Sequence, residues 1–563
     1  MLITDCNGFA FNLVSCKTKL MFVRITKNQK GDAYYHLVES YRDQGKVRQR
    51  TLLSLGRVED GMLEKVAAAL NKHLDTIQVL DLAKHIDIEN AYVYGSLLVL
   101  ERLMEQLGIN QVIETIAQQH DRLTFDFRKV LFTLMASRLI KPVSKLALHD
   151  RWLEKLYPEM VDHDLPLQHI YRSLDMLDKH KDEIEQLLYR FKKDLFSIQV
   201  DVVLYDLTTL RFESTREDLG DLRKFGYSKE MRSDCTQVVF GLLTDTDGLP
   251  LSFEVHPGNT FEGNTLDGIV DRMKKQFLVR RFIFIADRGL FSAKNLEHIR
   301  KSEGEFIVGL KIGVLGKSIQ QEYYDLERYH FITKDLAVWE TKLGNDRCII
   351  TWTRSRADRD YRAREDILLK IKKKLSLSKN QTRNFVSNSN YKKYLILGDK
   401  DQPVLNQKAI DEQARKDGFF GIITNVTSMT AVEIVTHYKQ LWKIEDSFGE
   451  LKGTLKSRPI FHWSDHRIIG HLMVCFLAYL CEAYVTRELR SHKEMMESKS
   501  SLDKTIDKRP LSAALAFEEL NSVLAIPVKI KDQTIWVRTD IPGNAMKLIK
   551  VLHMKIPPKI LMK

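Results

Sequence analysis

Three acidic residues stand where an uncompensated charge is expensive. Asp206 follows Val202-Val203-Leu204-Tyr205, and Asp287 follows Phe282-Ile283-Phe284-Ile285-Ala286. Both apolar runs are too short for helices and rich in strand formers. Each aspartate is expected to end a buried strand, where a carboxylate needs a cation, a proton or a hydrogen-bonded turn. Glu445 follows Ile434, Tyr438 and Leu441 and precedes Phe448 at alternating spacings of four and three. Those positions share one helix face, which puts Glu445 in an apolar stripe turned to the core, with Asp446 and Glu450 rotated away. Taken singly, Asp206 is equally well a turn residue serving Thr208 and Thr209, and Asp287 a partner of Arg288. Together, the three carboxylates make a hard, oxygen-rich set suited to Mg²⁺ or Mn²⁺ rather than zinc. Two such ions, roughly 3.5 to 4 Å apart, serve an in-line displacement at phosphorus in which a water or a 3′-hydroxyl attacks.

The elements that must position these acids follow from the periodicity. The periodicity changes at Ile198, and strand patterns at Val202 to Tyr205, Thr236 to Thr244 and Leu249 to Val255 precede a helix near Leu266 to Phe277. The strand Phe282 to Ala286, a helix from Ala293 to Lys301 and the strand Phe306 to Leu310 complete the series. The order β-β-β-α-β-α-β predicts a mixed sheet flanked by helices, the arrangement of ribonuclease-H-like nucleases. The whole is then a multidomain α/β protein. Residues 21–60 read as a basic three-stranded meander around the turn signals Lys30-Gly31-Asp32 and Asp43-Gln44-Gly45, and Met21 as a candidate start. Residues 61–197 read as a helical DNA-binding region, and 198–310 as the first part of the catalytic core. Residues 311–419 read as an inserted, mostly β subdomain, with strand-like pieces at Ala337 to Thr341 and Cys348 to Thr353. Residues 420–491 return to the core with the helix of the third acid, capped by Ser428 or Thr430 with Glu433. Residues 492–563 read as a charged linker and a small C-terminal unit with a hairpin around Asp532.

Composition narrows the partner. The 563 residues are 44% hydrophobic and 29% charged, and 87 Lys and Arg against 75 Asp and Glu leave a net charge of +12. That is a soluble globular composition whose field favours a polyanion, with nucleic acid ahead of an anionic membrane surface. The most apolar run, Ile468 to Leu480, is broken by Gly470 and His471 and is shorter than the roughly 20 residues a spanning helix needs. It is expected to be a core helix. Six scattered cysteines without C-x-x-C spacing argue for a reducing compartment, and the first 20 residues do not read as a secretion signal. The expectation is a cytoplasmic protein. No phosphate-binding glycine loop of the G-x-x-x-x-G-K-[ST] kind is present, which excludes the common ATPase motif. His462 and His466 lack further zinc ligands and read as satisfied surface histidines. Trp339 and Trp352 read as core before they read as base-stacking platforms.

In combination these segments carry a resemblance. Tyr205-Asp206-Leu207-Thr208-Thr209, Ala286-Asp287-Arg288-Gly289 and Tyr438-x6-Glu445-x6-Lys452 resemble the signature segments of DDE insertion-sequence transposases, specifically the insertion-sequence-four superfamily with its Y-x2-R-x3-E-x6-K motif. The resemblance covers Ile198 to Tyr479. It implies a metal-dependent nuclease and strand-transfer enzyme with two Mg²⁺ or Mn²⁺ ions held by Asp206, Asp287 and Glu445. It further implies cut-and-paste movement of an element bounded by inverted repeats, with double-stranded DNA as partner and a homodimer in the synaptic complex. One departure is plain: Leu441 occupies the position of the motif arginine, so the phosphate contact made there is missing or supplied elsewhere, by Lys439 or Lys443. Tyr438, Lys452, Arg288 and Lys443 are the DNA contacts expected near the acids, and Arg354, Arg356, Lys372, Lys373 and Lys374 those expected in the insertion. Two competing readings are a decayed or domesticated copy that only binds DNA, and a ribonuclease-H-like nuclease that cuts without joining. The intact acids weigh against the first, and inverted repeats flanking the gene would separate the second.

Between Arg354 and Lys393 the chain has thirteen Lys or Arg and four acidic residues. Reversing Lys372, Lys373 and Lys374 to Glu is expected to weaken binding to every DNA sequence alike. The slope of log affinity against log salt should flatten by about 0.9 for each phosphate no longer neutralised, measured by titration at several salt concentrations.

Overall fold

The computed structural model describes residues 19–57 without 28–31 and 44–45, residues 90–196, and, with short interruptions, 202–494 and 510–561. The chain divides into two compact units. One is drawn from Met1–Arg102, Ala147–Asp164 and Glu488–Lys563, the other from Leu103–Leu146 and Leu165–Arg487.

In the first unit, strands Lys19–Lys27, Ala33–Asp43 and Lys46–Arg57 form the expected antiparallel meander. The C-terminal strands Leu524–Ile530 and Gln533–Arg538 pair with each other, and the first also pairs with Tyr92–Val93. Trp536 meets Tyr92 edge-on at 5.4 Å and Tyr157 at 4.9 Å. Three distant stretches of sequence therefore share one small core, which corrects the expectation that 492–563 stands alone. Neither the hydrophobic pattern nor the turn signals announce such a long-range pairing. The first part of the expected helical region, up to residue 89, most of the linker to Arg509 and the turn at Asp532 lie outside the described residues.

The second unit is built on a nine-stranded sheet. Its strands are β1 (Val202–Arg211), β2 (Gln237–Asp245), β3 (Pro250–Pro257), β4 (Ile283–Ala286), β5 (Glu305–Leu310), β6 (His330–Thr333), β7 (Leu336–Leu343), β8 (Asp346–Thr353) and β9 (Phe419–Thr424). They lie in the order β6-β7-β8-β9-β5-β4-β1-β2-β3. The pairs β1/β4 and β4/β5 are parallel and the rest antiparallel. Helices α1 (Phe127–Ile140), α2 (Leu167–Lys179), α3 (Lys181–Phe196), α4 (Leu266–Lys275) and α5 (Ala293–Lys301) come before β6 in the chain. After β8 come α6 (Arg354–Leu377), α7 (Ala431–Lys439), α8 (Trp442–Lys452) and α9 (Asp465–Ser491). The series from β1 to β5 is the mixed arrangement predicted from the sequence.

Two expected boundaries are corrected. The helices assigned to a separate DNA-binding region belong partly to this unit, because α3 is tied to the sheet. Glu185 on α3 is fully buried; it accepts from Ser252 Oγ at 2.8 Å and Phe253 N–H at 3.2 Å and pairs with Lys181 at 2.9 Å and Arg272 at 3.4 Å. A buried carboxylate so surrounded fixes the position of α3 on β3. The inserted segment is not a mostly β subdomain either. β7 and β8 extend the main sheet, and the basic stretch after them is the long helix α6, whose Leu368 and Ile371 are buried against Tyr394 and Ile410. Its numerous charges had masked that helical spacing. Trp339 and Trp352 pack against the main core, as the plainer reading expected.

The apolar run at Ile468 to Leu480 is the centre of α9, a helix long and apolar enough to cross a membrane but with 89% of its most apolar window buried inside the protein. Gly470 sits where α9 meets α2: a Cβ there would lie 2.1 Å from the carbonyl oxygen of Leu174. Gly470→Ala should therefore destabilise by about 1–3 kcal/mol through overpacking, read as a lower midpoint in denaturant. A second consequence concerns Glu482, buried on α9 with Glu450 of α8 beside it. Burial first, then the neighbouring carboxylate, pushes Glu482 up to about 9, so it is neutral in the fold at pH 7. A raised folded-state value means this contribution is full below the unfolded pKa near 4.5 and is lost as pH rises towards 9. Glu482→Gln should thus gain stability relative to the parent between pH 5 and 9, by on the order of 2 kcal/mol, in parallel unfolding titrations.

Candidate active site

The register of the central strands brings the first two acids together. In the parallel pair β1/β4, Tyr205 lies opposite Ala286, so the next residues, Asp206 and Asp287, are neighbours on one face of the sheet. Adjacent strands are about 4.8 Å apart, close enough for the carboxylates to repel one another. Asp206 is half-buried and Asp287 exposed. β4 does end immediately before Asp287. β1 does not end at Asp206: it runs on to Arg211, paired with β2 along that length, because Leu207 to Leu210 are good strand formers. Asp206 instead marks where the parallel partner of β1 stops. Its Oδ1 accepts from the Leu207 N–H at 2.8 Å.

The same row continues into β5 and β9. Ala286 pairs with Val308 and Ile422 with Gly309, which sets Gly309 next to Asp287. The hydroxyl of Tyr438, on α7, donates to Asp287 Oδ1 at 3.2 Å. A Cβ on Gly309 would stand 2.5 Å from that hydroxyl, so the glycine clears the slot. Burial, reinforced by the Asp287 charge, pushes the Tyr438 phenol well up and keeps it a donor. Its ring lies against Phe420 of β9 at 5.1 Å.

Helix α8 lies on this face as well. Asp206 and Thr208 point the same way from β1, and Lys452 at the end of α8 donates to Thr208 Oγ1 at 2.6 Å. Phe448 meets Phe240, the residue opposite Thr208 on β2, at 6.4 Å. Glu445 therefore stands between two anchors, Tyr438 on Asp287 and Phe448 on Phe240. It does not sit in the core, which corrects the single apolar stripe expected from Ile434 to Phe448. The helix is interrupted: Leu441 N–H bonds to Tyr438 O and Ile444 N–H to Leu441 O, three-residue steps that advance the phase between α7 and α8. α8 buries Ile444, Ser447, Phe448 and Leu451 and leaves Glu445 exposed. Glu450 turns instead to Thr454 and Glu482.

Among the described residues no three His, Cys, Asp or Glu side chains are gathered tightly enough to hold a metal ion. Two carboxylates are side by side, and the third is on the helix that crosses the same face. The donor chemistry, carboxylate oxygens open to solvent, suits a hard divalent ion.

The expected cations separate into groups. Arg356, at the start of α6, lays its guanidinium on the Phe420 ring at 4.6 Å and is thereby at the site, beside Tyr438 and Arg288. Arg288 is exposed next to Asp287. Lys443 donates to the carbonyl of Thr246 and so ties α8 to the β2–β3 turn, which corrects its assignment as the stand-in for the motif arginine. Arg354 pairs with Asp335 at 3.2 Å, and Lys372, Lys373 and Lys374 are exposed farther along α6. His462 lies tilted against His471 at 5.4 Å and is driven down to about 3 by burial first, then by Lys145 and other cations, while His466 pairs with Asp175 at 3.3 Å. Thr208, Gly309 and Phe420 were missed as site residues. The one signal available was a glycine inside the strand Phe306 to Leu310, which often marks close approach by another group.

A family model described as the transposase DDE domain matches residues 200–481, half of the chain. A second, described as the N-terminal domain of IS1634 family transposases, matches residues 22–80. No curated protein matches the chain. The first match spans the sheet, the two aspartates and α8, the second the basic meander, and with them the chain belongs to the DDE-type insertion-sequence transposases.

Proposed function

We propose that this transposase cleaves DNA at the ends of its element and joins the freed 3′ ends to a target, with Asp206, Asp287 and Glu445 as the acids that hold Mg²⁺ or Mn²⁺. The observation that carries the reading is the neighbouring placement of Asp206 and Asp287 at the parallel β1/β4 pair, with Tyr438 bonded to Asp287 and α8 on the same face. When bound, a pair of divalent ions supplies Lewis acidity to the attacking and leaving oxygens of an in-line displacement. The protein's part is positioning. The backbone ladder holds the two aspartates at fixed spacing, so their mutual repulsion is imposed by folding and relieved by a cation. Glu445, on a helix pinned at Thr208 and Thr246, contributes its charge from above without rebuilding the sheet. Tyr438 keeps its proton and orients Asp287. Lys452 donates to Thr208, and Glu450 belongs to a separate buried pair. The basic meander and the cations of α6 supply the phosphate contacts that position double-stranded DNA, and two copies of the chain meet at the paired ends.

The test is incubation with duplexes carrying the element's terminal repeats and Mg²⁺, followed for 3′-hydroxyl ends and for joined products. Asp206→Asn, Asp287→Asn and Glu445→Gln should each reduce cleavage to background while end binding by gel shift is kept. Glu450→Gln should cleave much like the parent. Full cleavage by any of the three acid variants would remove that residue from the site.

A further inference from the structure

A cation reaches the neighbourhood of Tyr438 from outside the helix of the third acid. It is Arg356, in the first turn of α6, brought onto Phe420 of β9 by a set of anchors. Arg364, one of the few buried arginines, forms a two-pronged pair with Asp417, and Asp360 accepts from the Gly418 N–H at 3.1 Å. Both anchors fix α6 to the residues just before β9, and the Arg356 guanidinium then rests on Phe420, which rests on Tyr438, which bonds Asp287.

Arg356 is poorly compensated. Its Nε is buried and makes no hydrogen bond, and the nearest carboxylate oxygen, on Asp360, is 3.8 Å away and already bonded to Gly418. Burial above all, with Arg359 and Arg288 adding to it against Asp360 and Tyr438, lowers its hold on the proton. Two guanidinium groups and a phenol hydroxyl thus converge beside an exposed aspartate with too little negative charge among them. A guanidinium presents its N–H groups as a planar fork that matches two oxygens of a phosphate.

We propose that Arg356 and Arg288 form a clamp for one backbone phosphate of the strand being cut, beside the Asp287 that Tyr438 holds in place, and that Arg356 supplies the cation absent at Leu441. This rests on the transposase reading above but is separable from it. The clamp positions the strand and takes no part in proton transfer. Its charge is local: Arg362, exposed on the same helix, has none of these neighbours and contributes only to the general field.

A series of terminal-repeat duplexes, each with a single neutral methylphosphonate moved one position along the cut strand, tests the clamp with the full-length protein. The parent should lose roughly tenfold to a hundredfold in cleavage at one phosphate near the cut, the cost of a charge-assisted contact. Arg356→Gln should lose a similar factor on unmodified DNA and nothing further at that phosphate, while remaining sensitive at the others. Arg356→Lys, which keeps the charge and the stem but not the fork, should retain part of the sensitivity and serves where the Gln variant folds poorly. Arg362→Gln removes the same charge and should reproduce the parent's profile. An Arg356→Gln profile with the parent's sensitivity at every position, or an Arg362→Gln profile matching that of Arg356→Gln, would overturn the clamp. Either result would leave the loss of cleavage in Asp206→Asn intact as the separate measure of the transposase reading.

Discussion

The parallel pairing of β1 with β4 is the constraint on which the site depends. Two acids far apart in sequence become neighbours because Tyr205 and Ala286 share a rung of the ladder. A slip of one residue in that pairing would turn one aspartate to the opposite face. The register is held from both sides, by β2 along the whole of β1 and by β5 along all of β4. The four buried residues of β4 are apolar throughout, as a strand covered on both faces must be. Burial of that centre offsets the cost of setting two like charges side by side.

The third acid is held differently. Glu445 is not part of a ladder but of a helix fixed at its ends, by Lys443 on Thr246 and Lys452 on Thr208. Its distance from the aspartates is therefore set by side chains and by one irregular turn, a softer restraint than backbone pairing. Arg288 and Arg356 are the cations that act on Tyr438, the residue bonded to Asp287.

Much of this was legible in the sequence, for identifiable reasons. Short apolar runs ending in an aspartate gave the strands and the two acids, because a buried strand cannot carry a charge without cause. The order of strands and helices from 198 to 310 was readable for the same reason. What was hidden depended on phase and distance. The stripe from Ile434 to Phe448 obeys helical spacing on paper, but three-residue steps at Leu441 rotate it, and Glu445 comes out to solvent. In α6 the dense charge concealed the apolar positions Leu368 and Ile371 that make it a helix. The pairing of Tyr92–Val93 with Leu524–Ile530 joins residues hundreds of positions apart, and local pattern carries no trace of it. Arg356 was visible as one charge among thirteen, but not as the one that meets Tyr438.

The path of the chain between β8 and β9 has a consequence for how such a protein can change. The two strands are antiparallel neighbours, so everything from Arg354 to Gly418 is topologically a hairpin loop, grown into a long helix with a small core of its own. Lengthening a loop whose ends are already paired costs little, since closure entropy grows only with the logarithm of its length. The outer part of α6 and its satellite strands are thus free to vary in size, charge and partner without disturbing the ladder beneath. The root is not free: Arg356, Asp360, Arg364 and Asp417 must keep their places whatever is carried beyond them. Change can collect at the tip of a lever whose pivot stays fixed on β9.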